Sequence, residues 1–382
     1  MSEWKKVKLG EICERVTSGG TPKANVSSYY NPPTIPWLKT KEVNYCRITE
    51  TENYISEEGL KNSSAKLISP NSVIIAMYGQ GDTAGRIAIN KIPLATNQAC
   101  CNLTIDKSKA DYEFIYYQLC TLYDKLVSLK AGAAQPNLNA RIIKNLEIIM
   151  PSLPIQHRIA SILSRYDSLI ENYQKQIKLL EEAAQRLYKE WFIDLHFPGH
   201  ENTNIIDGVP EGWEKKKVGD ITPIITGKKD ANFGTPDGEY PFFTCSQEPI
   251  KAPSFSFDCA AVLLAGNGDF NVKLYRGRFE AYQRTYVLSP YIDSHLYLLF
   301  YTISANMTKL AAGSSGSTIK FLTKGMIDGI NLNVPNDEIL RSFNKKVEPI
   351  QSSRESLQSQ LRLLTEARDR LLPKLMSGEI TI

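Results

Sequence analysis

The chain has 382 residues, of which 42% are hydrophobic and 23% charged. This is the size of two or three domains and the composition of a folded soluble protein, which excludes global disorder, a collagen-like fibre and a small disulfide scaffold. Lysine and arginine (45) outnumber aspartate and glutamate (41), and the resulting net charge of +4 permits nucleic-acid binding without demonstrating it. No apolar run approaches the ~20 residues that cross a bilayer, and the charged N-terminus has no secretory signal. Because none of the seven cysteines forms a CxxC pair, we expect reduced thiols and a cytoplasmic protein with no membrane contact.

The first part of the chain is predicted to form a globule of short strands and one amphipathic helix. Runs rich in β-branched residues and bounded by Gly, Pro or Asn predict strands at SVIIAMYG, RIAIN, CCNLTI and NLEIIM. The helix is predicted over Ala110–Leu129. A long helix follows, because apolar side chains recur every seven residues from Ile159 to Leu187 and no Gly or Pro interrupts Gln156–Phe192. At 1.5 Å per residue a helix of ~37 residues is about 55 Å long, longer than a domain of ~150 residues is wide.

The second part repeats the first. Predicted strands read CAAVLLAG, TYVL and INLNV, and a second amphipathic helix is predicted over Asp293–Ala311. Phe343 and Ile350 begin another seven-residue recurrence, which predicts a second long helix. We expect Pro349 to kink this helix or mark its start, and Pro373 and Gly378 to end it.

Three pairs of segments indicate an internal duplication. EWKKVKLGEI matches GWEKKKVGDI, AGAAQPNLNARIIKNLEIIMPSLP matches AAGSSGSTIKFLTKGMIDGINLNVPN, and IKLLEEAAQRL matches LRLLTEARDRL. The predicted fold class is therefore α+β, with a mixed domain used twice and two long helices packed as an antiparallel coiled coil about a pseudo-twofold axis. The predicted organisation is a globular domain at residues 1–155, a central long helix at 156–195, a second globular domain at 196–336 and a C-terminal long helix at 337–382.

Catalytic motifs are missing. NPPT (Asn31–Thr34) resembles the Asn-Pro-Pro-aromatic motif of amino-methyltransferases, but Thr34 replaces the aromatic residue and no Gly-rich cofactor loop precedes it, so we interpret it as a turn. His196 and His200 lack a third ligand at suitable spacing, so we predict no metal site. We infer that this chain alone does no chemistry and holds no cofactor. Its Gly-bearing loops, rich in Gln, Asn, Lys and Arg, have the chemistry that contacts base edges and phosphates.

Several of these segments together resemble the specificity subunit of Type I restriction–modification systems, over essentially the whole chain. The markers are GVPEGWEKKKVGDI in the second half, and GGTP…IPWLKTKEV, YGQGDTAGRIAI, ATNQACCNL and AAQPNLNARIIKNLEIIMPSLPIQHRIASIL in the first, with LLPKLMSGEI at the end. The second-half segment AAGSSGSTIKFLT lacks the QPNLN sequence of the matching first-half segment, so the two domains should read different half-sites.

The resemblance implies a non-catalytic subunit with two target-recognition domains, each reading half of an asymmetric bipartite site on double-stranded DNA. The long helices would act as a spacer and dock two methyltransferase (modification) subunits, which bind S-adenosylmethionine and methylate adenine. The resemblance leaves open whether restriction (translocase) subunits join the complex.

Candidate contact residues lie in Gly-bearing or strand-end loops and carry donor or acceptor side chains. The DNA-binding candidates are Lys39, Lys41, Gln80, Arg86, Gln98, Asn137, Lys228, Lys229, Gln247, Asn267, Arg276, Arg278, Gln283, Arg284 and Lys320. Gln98 and Gln283 could equally be buried and bonded to backbone. The candidates for partner docking are Ile162, Leu169, Tyr173, Leu361, Leu364 and Leu371.

Three alternatives stay open. The chain could be the recognition subunit of a Type IIB-like or standalone methylation system without a motor. It could be a protein-binding scaffold with duplicated heads on a coiled coil, which predicts no salt-dependent DNA affinity. A methyltransferase using NPPT predicts cofactor binding by the isolated chain.

Overall fold

The computed structural model describes residues 4–130, 137–314 and 320–382. The chain divides into two compact units: unit 1 comprises Met1–Asn172 and Gln360–Ile382, and unit 2 comprises Tyr173–Ser359. Each long helix therefore contributes residues to both units.

Unit 1 is built mainly of short strands. They are β1 (Lys5–Lys8), β2 (Cys13–Ser18), β3 (Ile35–Leu38), β4 (Cys46–Ile48), β5 (Tyr54–Ile55), β6 (Leu67–Ile68), β7 (Val73–Ala76), β8 (Ile87–Asn90), β9 (Leu94–Thr96), β10 (Cys100–Ile105) and β11 (Glu147–Met150). The sheets have the orders β2-β10-β7-β8-β4 and β5-β3-β9-β6, and β1 pairs with β11 as an antiparallel ribbon. The helices are α1 (Glu57–Lys61), α2 (Tyr112–Cys120), α3 (Tyr123–Ser128), α4 (Ala140–Lys144) and α5 (Leu153–Tyr188).

The first predicted amphipathic helix is two helices rather than one. The break lies at Thr121 and Leu122, between α2 and α3. The Thr121 hydroxyl donates to the Gln118 carbonyl at 2.8 Å, a local bond of the kind that competes with helix continuation. The buried face of α2 still packs on the sheet as the periodicity predicted, with Phe114 and Ile115 fully buried.

Unit 2 repeats this plan around longer strands. They are β12 (Ile205–Ile206), β13 (Val209–Pro210), β14 (Glu214–Lys217), β15 (Ile225–Thr226), β16 (Tyr240–Phe243), β17 (Ile250–Ala252), β18 (Phe257–Ala265), β19 (Val272–Ala281), β20 (Thr285–Leu288) and β21 (Asn331–Val334). The main sheet has the order β15-β20-β18-β19-β16-β17, and β14 pairs with β21 as β1 pairs with β11. The helices are α6 (Val218–Ile221), α7 (Leu296–Gly313), α8 (Lys324–Asp328) and α9 (Asp337–Ser377).

The duplication predicted from the sequence is confirmed in the order of these elements. In each unit a lysine-rich strand leads through one short helical turn into the edge strand of the main sheet. In each unit a one-turn helix and the partner of the lysine-rich strand then lead into a long helix, α5 or α9. The α+β class follows from these mixed sheets and helices.

One proline of the C-terminal long helix does not act as predicted. Pro373 lies inside α9 and does not end it. Pro349 also lies inside α9, so of its two predicted roles it does not mark the start of the helix. A proline inside a helix costs about 3 kcal/mol, and burial of the turns on its N-terminal side, with Phe343 and Val347 fully buried, offsets this cost. The helix ends before Gly378, whose φ of +76° is the left-handed conformation common after a helix C-terminus.

In each unit, considered alone, the two long helices run antiparallel. In unit 1, Asp167 of α5 bonds Arg368 of α9 at 2.9 Å, and Ile159 shares a core cluster with Leu375. Successive contacts therefore pair lower residue numbers in α5 with higher residue numbers in α9, as in an antiparallel pair.

Unit 2 shows the same direction. Glu181 lies 3.3 Å from Arg354, and the ring centroids of Phe192 and Phe343 are 4.8 Å apart. Arg354 and Arg368 of α9 are therefore ion-pair partners within the contacts between the long helices.

Candidate nucleic-acid interface

Loops that are far apart in the sequence of unit 2 meet at one end of its main sheet. The Gln283 N–H donates to the Lys229 carbonyl at 2.9 Å, and the Gly266 N–H donates to the Arg284 carbonyl at 2.8 Å. The Leu322 N–H then donates to the Gly266 carbonyl at 2.8 Å. We call the resulting surface the unit 2 loop edge; it comprises residues 227–230, 244–247, 266–271, 282–284 and 320–322.

A lysine that the sequence reasoning missed fastens one of these loops. Lys273 at the start of β19 donates from Nζ to the Ser246 carbonyl at 2.8 Å. Burial lowers the pKa of this ammonium group. Asn271 adds a 3.0 Å bond to the Cys245 carbonyl, and Gln247 donates to the Asp269 carboxylate. The loop that carries Gln247 is thus held by side chains rather than by strand pairing.

Unit 1 has a corresponding surface. We call it the unit 1 loop edge; it comprises residues 19–23, 38–39, 77–80, 97–99 and 137–138. Backbone hydrogen bonds of 2.8–3.0 Å hold it together, between Gly20 and Thr96, Asn97 and Leu38, Met77 and Ala99, and Leu138 and Met77. Gln80 and Gln98 are exposed there, and Asn137 is half-buried.

A glycine occupies the same place in both edges because the backbones approach too closely for any side chain. A Cβ on Gly19 would lie 2.1 Å from the Thr96 carbonyl oxygen. A Cβ on Gly227 would lie 1.9 Å from the Ala281 carbonyl oxygen. Only glycine permits such an approach, so the loop after β2 is anchored against β9 and the loop after β15 against β19.

A glutamine also occupies the same place in both edges. Gln98 accepts a hydrogen bond from the Thr21 hydroxyl, and Gln283 donates to the Asp230 carboxylate at 2.6 Å. Both glutamines are exposed. They are therefore not buried with their side chains on backbone, which was the other possibility left open by the sequence.

The predicted cations of unit 1 are engaged with neighbours. Lys39 donates to Asn53 at 2.9 Å and lies 5.1 Å from the Trp37 ring centroid. Lys41 pairs with Glu52. Arg86 closes the β7–β8 loop and pairs with Asp82 at 2.5 Å. Lys23, which is exposed in the unit 1 loop edge, was not predicted. It could have been found by comparing the two halves, because it follows Gly19 as Lys228 and Lys229 follow Gly227.

In unit 2, the predicted cations fall into two groups. Lys228, Arg284 and Lys320 are exposed at the loop edge. Lys229 lies there over the Phe233 ring, 4.4 Å from its centroid, and Asn267 pairs with Phe321 through a backbone bridge.

Arg276 and Arg278 lie in strand β19, where their contacts are with residues outside the loops. Arg276 donates to the Tyr297 hydroxyl at 2.8 Å and lies 3.6 Å from Glu348 of α9. Arg278 lies 3.2 Å from Asp258 and over the Phe255 ring. The structure therefore does not bring these two side chains together with the loop-edge candidates.

The residues suggested for partner docking differ in exposure. Leu169 of α5 is 45% exposed, whereas Ile162, Tyr173, Leu361, Leu364 and Leu371 are half-buried. Ile162 and Leu371 pack against the core of unit 1. Leu179 and Leu363, at 54% and 57%, are more exposed and were not singled out. An open groove of about 350 Å³ in unit 1 is lined by His157, Arg158, Ser161, Ile162, Arg165 and Ile382.

The two edges have the chemistry of sequence readout. Gln and Asn amides present a paired donor and acceptor that match adenine, an arginine fork matches guanine, and lysine meets phosphate. Carboxylates such as Asp230 and Asp269 accept from the cytosine amino group.

Within residues 4–130, 137–314 and 320–382 no group of three His, Cys, Asp or Glu side chains could hold a metal ion. Asn31–Thr34 is an exposed bend that leads into β3. Among the described helices, none is both long and apolar enough to cross a membrane.

Comparisons with known proteins agree with these observations. A family model for the Type I restriction modification DNA specificity domain matches residues 1–182 and 210–353. The Type I restriction enzyme MjaIX specificity subunit of Methanocaldococcus jannaschii is 28% identical over 416 residues, covering 100% of this chain and 94% of that relative. The EcoDI specificity subunit of Escherichia coli is 36% identical over 177 residues, 45% of this chain and 40% of that relative. The solved S subunit of a Type I system from M. genitalium shares the fold, with a TM-score of 0.69 at 17% identity over 98% of this chain and 96% of that one.

Proposed function

Because this chain belongs to the family defined by the Type I restriction modification DNA specificity domain, we propose that it is the specificity subunit of a Type I restriction–modification complex and reads an asymmetric bipartite DNA site. The observation that carries the proposal is the loop edge that occurs twice, once in each unit, on the same scaffold of an anchoring glycine and an exposed glutamine. Two such surfaces on one chain are suited to two half-sites on one duplex.

The half-sites are expected to differ because the side chains around the shared scaffold differ. The unit 1 loop edge presents the amides of Gln80, Gln98 and Asn137. The unit 2 loop edge presents, besides its own amides, the exposed guanidinium of Arg284. Amides favour adenine and arginine favours guanine, so the two edges select different bases. This difference supports an asymmetric rather than a palindromic target.

The proposed division of labour follows the organisation predicted from the sequence. Residues 1–155 and 196–336 read the half-sites, and residues 156–195 and 337–382 space them and dock partners. The exposed leucines of the long helices, Leu169, Leu179 and Leu363, support the docking role because exposed large apolar side chains are candidates for interface contacts.

The partners are two modification subunits that bind S-adenosylmethionine and methylate adenine. Adenine must leave the base stack to be methylated, and the pocket that receives it belongs to the modification subunit. This chain holds no cofactor and catalyses nothing in this role; it positions that pocket over one adenine in each half-site. The complex acts in the cytoplasm, and a restriction subunit completes it where the system also cleaves DNA.

The test is genome-wide mapping of N6-methyladenine by long-read sequencing, with the gene present, deleted and restored. The proposal expects one split motif with a fixed gap and one modified adenine per strand, lost on deletion and regained on restoration. A matched control is a chain carrying Lys107→Ala, an exposed side chain outside both loop edges, which should leave the motif unchanged. If no methylated motif depends on the gene, or if the purified complex binds a duplex carrying that motif no better than a scrambled one, the proposal is wrong.

A further inference from the structure

A buried arginine joins the globular part of unit 1 to its long helix. Arg47 lies on β4, the edge strand of the main sheet, yet its side chain is only 6% exposed. Its guanidinium donates to the Ser168 hydroxyl at 3.3 Å and the Ser164 carbonyl at 3.5 Å, both on α5. It also donates to the Tyr117 hydroxyl of α2 at 3.1 Å. One side chain thus contacts a sheet-packing helix and two successive turns of α5.

Three carboxylates surround this guanidinium. Arg47 lies 3.6 Å from Glu113 of α2 and 3.8 Å and 3.6 Å from Asp167 and Glu171 of α5. Asp167 also accepts from the Tyr117 hydroxyl at 2.5 Å. The first carboxylate belongs to the globule and the other two to the long helix, so the charge pairing crosses the boundary between them.

Two further cations balance the cluster. Lys91, after β8, lies 3.2 Å from Glu113, and Arg368 of α9 lies 2.9 Å from Asp167. Three cations therefore face three carboxylates contributed by the sheet, α2, α5 and α9. Pairing of this kind adds little net stability over apolar packing, but it favours one geometry because a misplaced helix leaves a buried charge unpaired.

Unit 2 makes the corresponding contact with less buried charge. There the Gln351 amide of α9 donates to the Tyr301 hydroxyl of α7, whereas in unit 1 the Tyr117 hydroxyl of α2 donates to the Asp167 carboxylate of α5. Arg276 of β19 faces Glu348 of α9 at 3.6 Å, but both side chains are about half exposed, whereas Arg47 and Asp167 are buried. The buried charge of the unit 1 cluster therefore goes beyond what unit 2 uses to hold its long helix.

We infer that Arg47 is a positioning residue that fixes the direction in which α5 leaves the globular part of unit 1, and through it the number of base pairs between the half-sites. This inference rests on the proposed function. Apolar contacts alone are non-directional and let a helix settle in neighbouring orientations. Without Arg47, the complex should recognise the same half-sites but accept more than one number of base pairs between them.

The experiment measures how strictly methylation is confined to sites with one gap length, in cells that express the whole complex. We call this property gap fidelity. Arg47→Met, Arg47→Lys and Leu103→Ala are compared with the unaltered chain by long-read mapping of methylated adenines. Leu103 is fully buried in β10 and does not belong to the cluster, so its variant is a control for destabilisation alone. The expected result for Arg47→Met is at least a tenfold increase in methylation at sites whose gap is one base pair longer or shorter. Arg47→Lys should restore most of the fidelity, and Leu103→Ala should keep a single gap.

A second variant covers the case in which Arg47→Met does not accumulate. Arg47→Met with Asp167→Asn removes one charge of each sign, and Arg368 keeps its 2.8 Å contact with Asp369. If either variant methylates only the native gap at normal occupancy, or if Leu103→Ala broadens the gap equally, the inference is wrong. If neither variant accumulates while Leu103→Ala does, the cluster is a folding requirement and the inference is equally wrong. Failure of the proposed function is distinct, because then the unaltered chain yields no split motif.

Discussion

Removal of three cations from the unit 2 loop edge should flatten the salt dependence of DNA binding. Lys228, Arg284 and Lys320 are all exposed at this edge. Each cation that neutralises a phosphate contributes about 0.9 to the slope of log affinity against log salt, so three Ala substitutions reduce the slope by up to about 2.7. When the salt is raised from about 50 to about 200 mM, the DNA affinity of the unaltered complex should therefore fall by a factor about 40 times larger than the affinity of the variant does. The assay is fluorescence-anisotropy titration of cognate duplex with purified complex at several salt concentrations.

The control is a triple variant with the same loss of charge elsewhere. Lys5, Lys107 and Lys215 are exposed and lie outside both loop edges, so their replacement by Ala should change the slope little. Equal slopes for the loop-edge variant and the unaltered complex, or an equal fall in the control, would refute the assignment of this edge to phosphate contacts.

Three further outcomes are expected. Gln98→Ala should relax base choice in one half-site and Gln283→Ala in the other, each by about 1–3 kcal/mol of discrimination, measured by mapping methylated motifs; loss at both half-sites from one substitution would contradict separate readers. Gly227→Ala should lower the thermal midpoint because its Cβ would meet a carbonyl oxygen, whereas Gly325→Ala in α8 has open space and should leave the midpoint unchanged or raise it. Burial lowers the pKa of His295, so the unfolded chain takes up a proton first as the pH falls. The contribution of neutral His295 to the free energy of unfolding is complete above the ordinary histidine pKa of about 6.5 and declines as the pH falls from there towards the folded-state pKa. Thermal melts between pH 8 and 5 should show this loss of stability, and the loss should be smaller in His295→Gln.

The sequence predicted the elements that depend on local pattern. The strands at Val73–Ala76 and Cys100–Ile105 carry β-branched or small buried residues on both faces, and their runs were recognisable for that reason. The seven-residue apolar recurrence identified both long helices. Pro373 was wrongly expected to end the helix because the cost of a proline is local, whereas the burial of Leu375 and Met376 that outweighs it is tertiary.

The positions of candidate residues in the two loop edges could be predicted where side-chain chemistry and loop position coincide. Gln98 and Gln283 both follow the strand that the anchoring glycine approaches, and both were identified from their loops. Arg276 has the same chemistry but points to Tyr297, and composition does not reveal which way a strand residue faces. Arg47 gave no signal at all, because its partners lie on α2 and α5, more than a hundred residues away for Ser168.

The division of the chain into units has a consequence for biosynthesis. Unit 2 is one continuous stretch, Tyr173–Ser359, whereas unit 1 needs Gln360–Ile382 as well as its N-terminal part. Leu375 and Met376, which are buried in the core of unit 1, leave the ribosome only after the whole of unit 2. Domains usually complete their folding in the order of synthesis, but here the half that is made first is completed last. Until Leu375 and Met376 have been made, the nascent chain therefore carries an unfinished apolar core in the part of unit 1 that precedes unit 2.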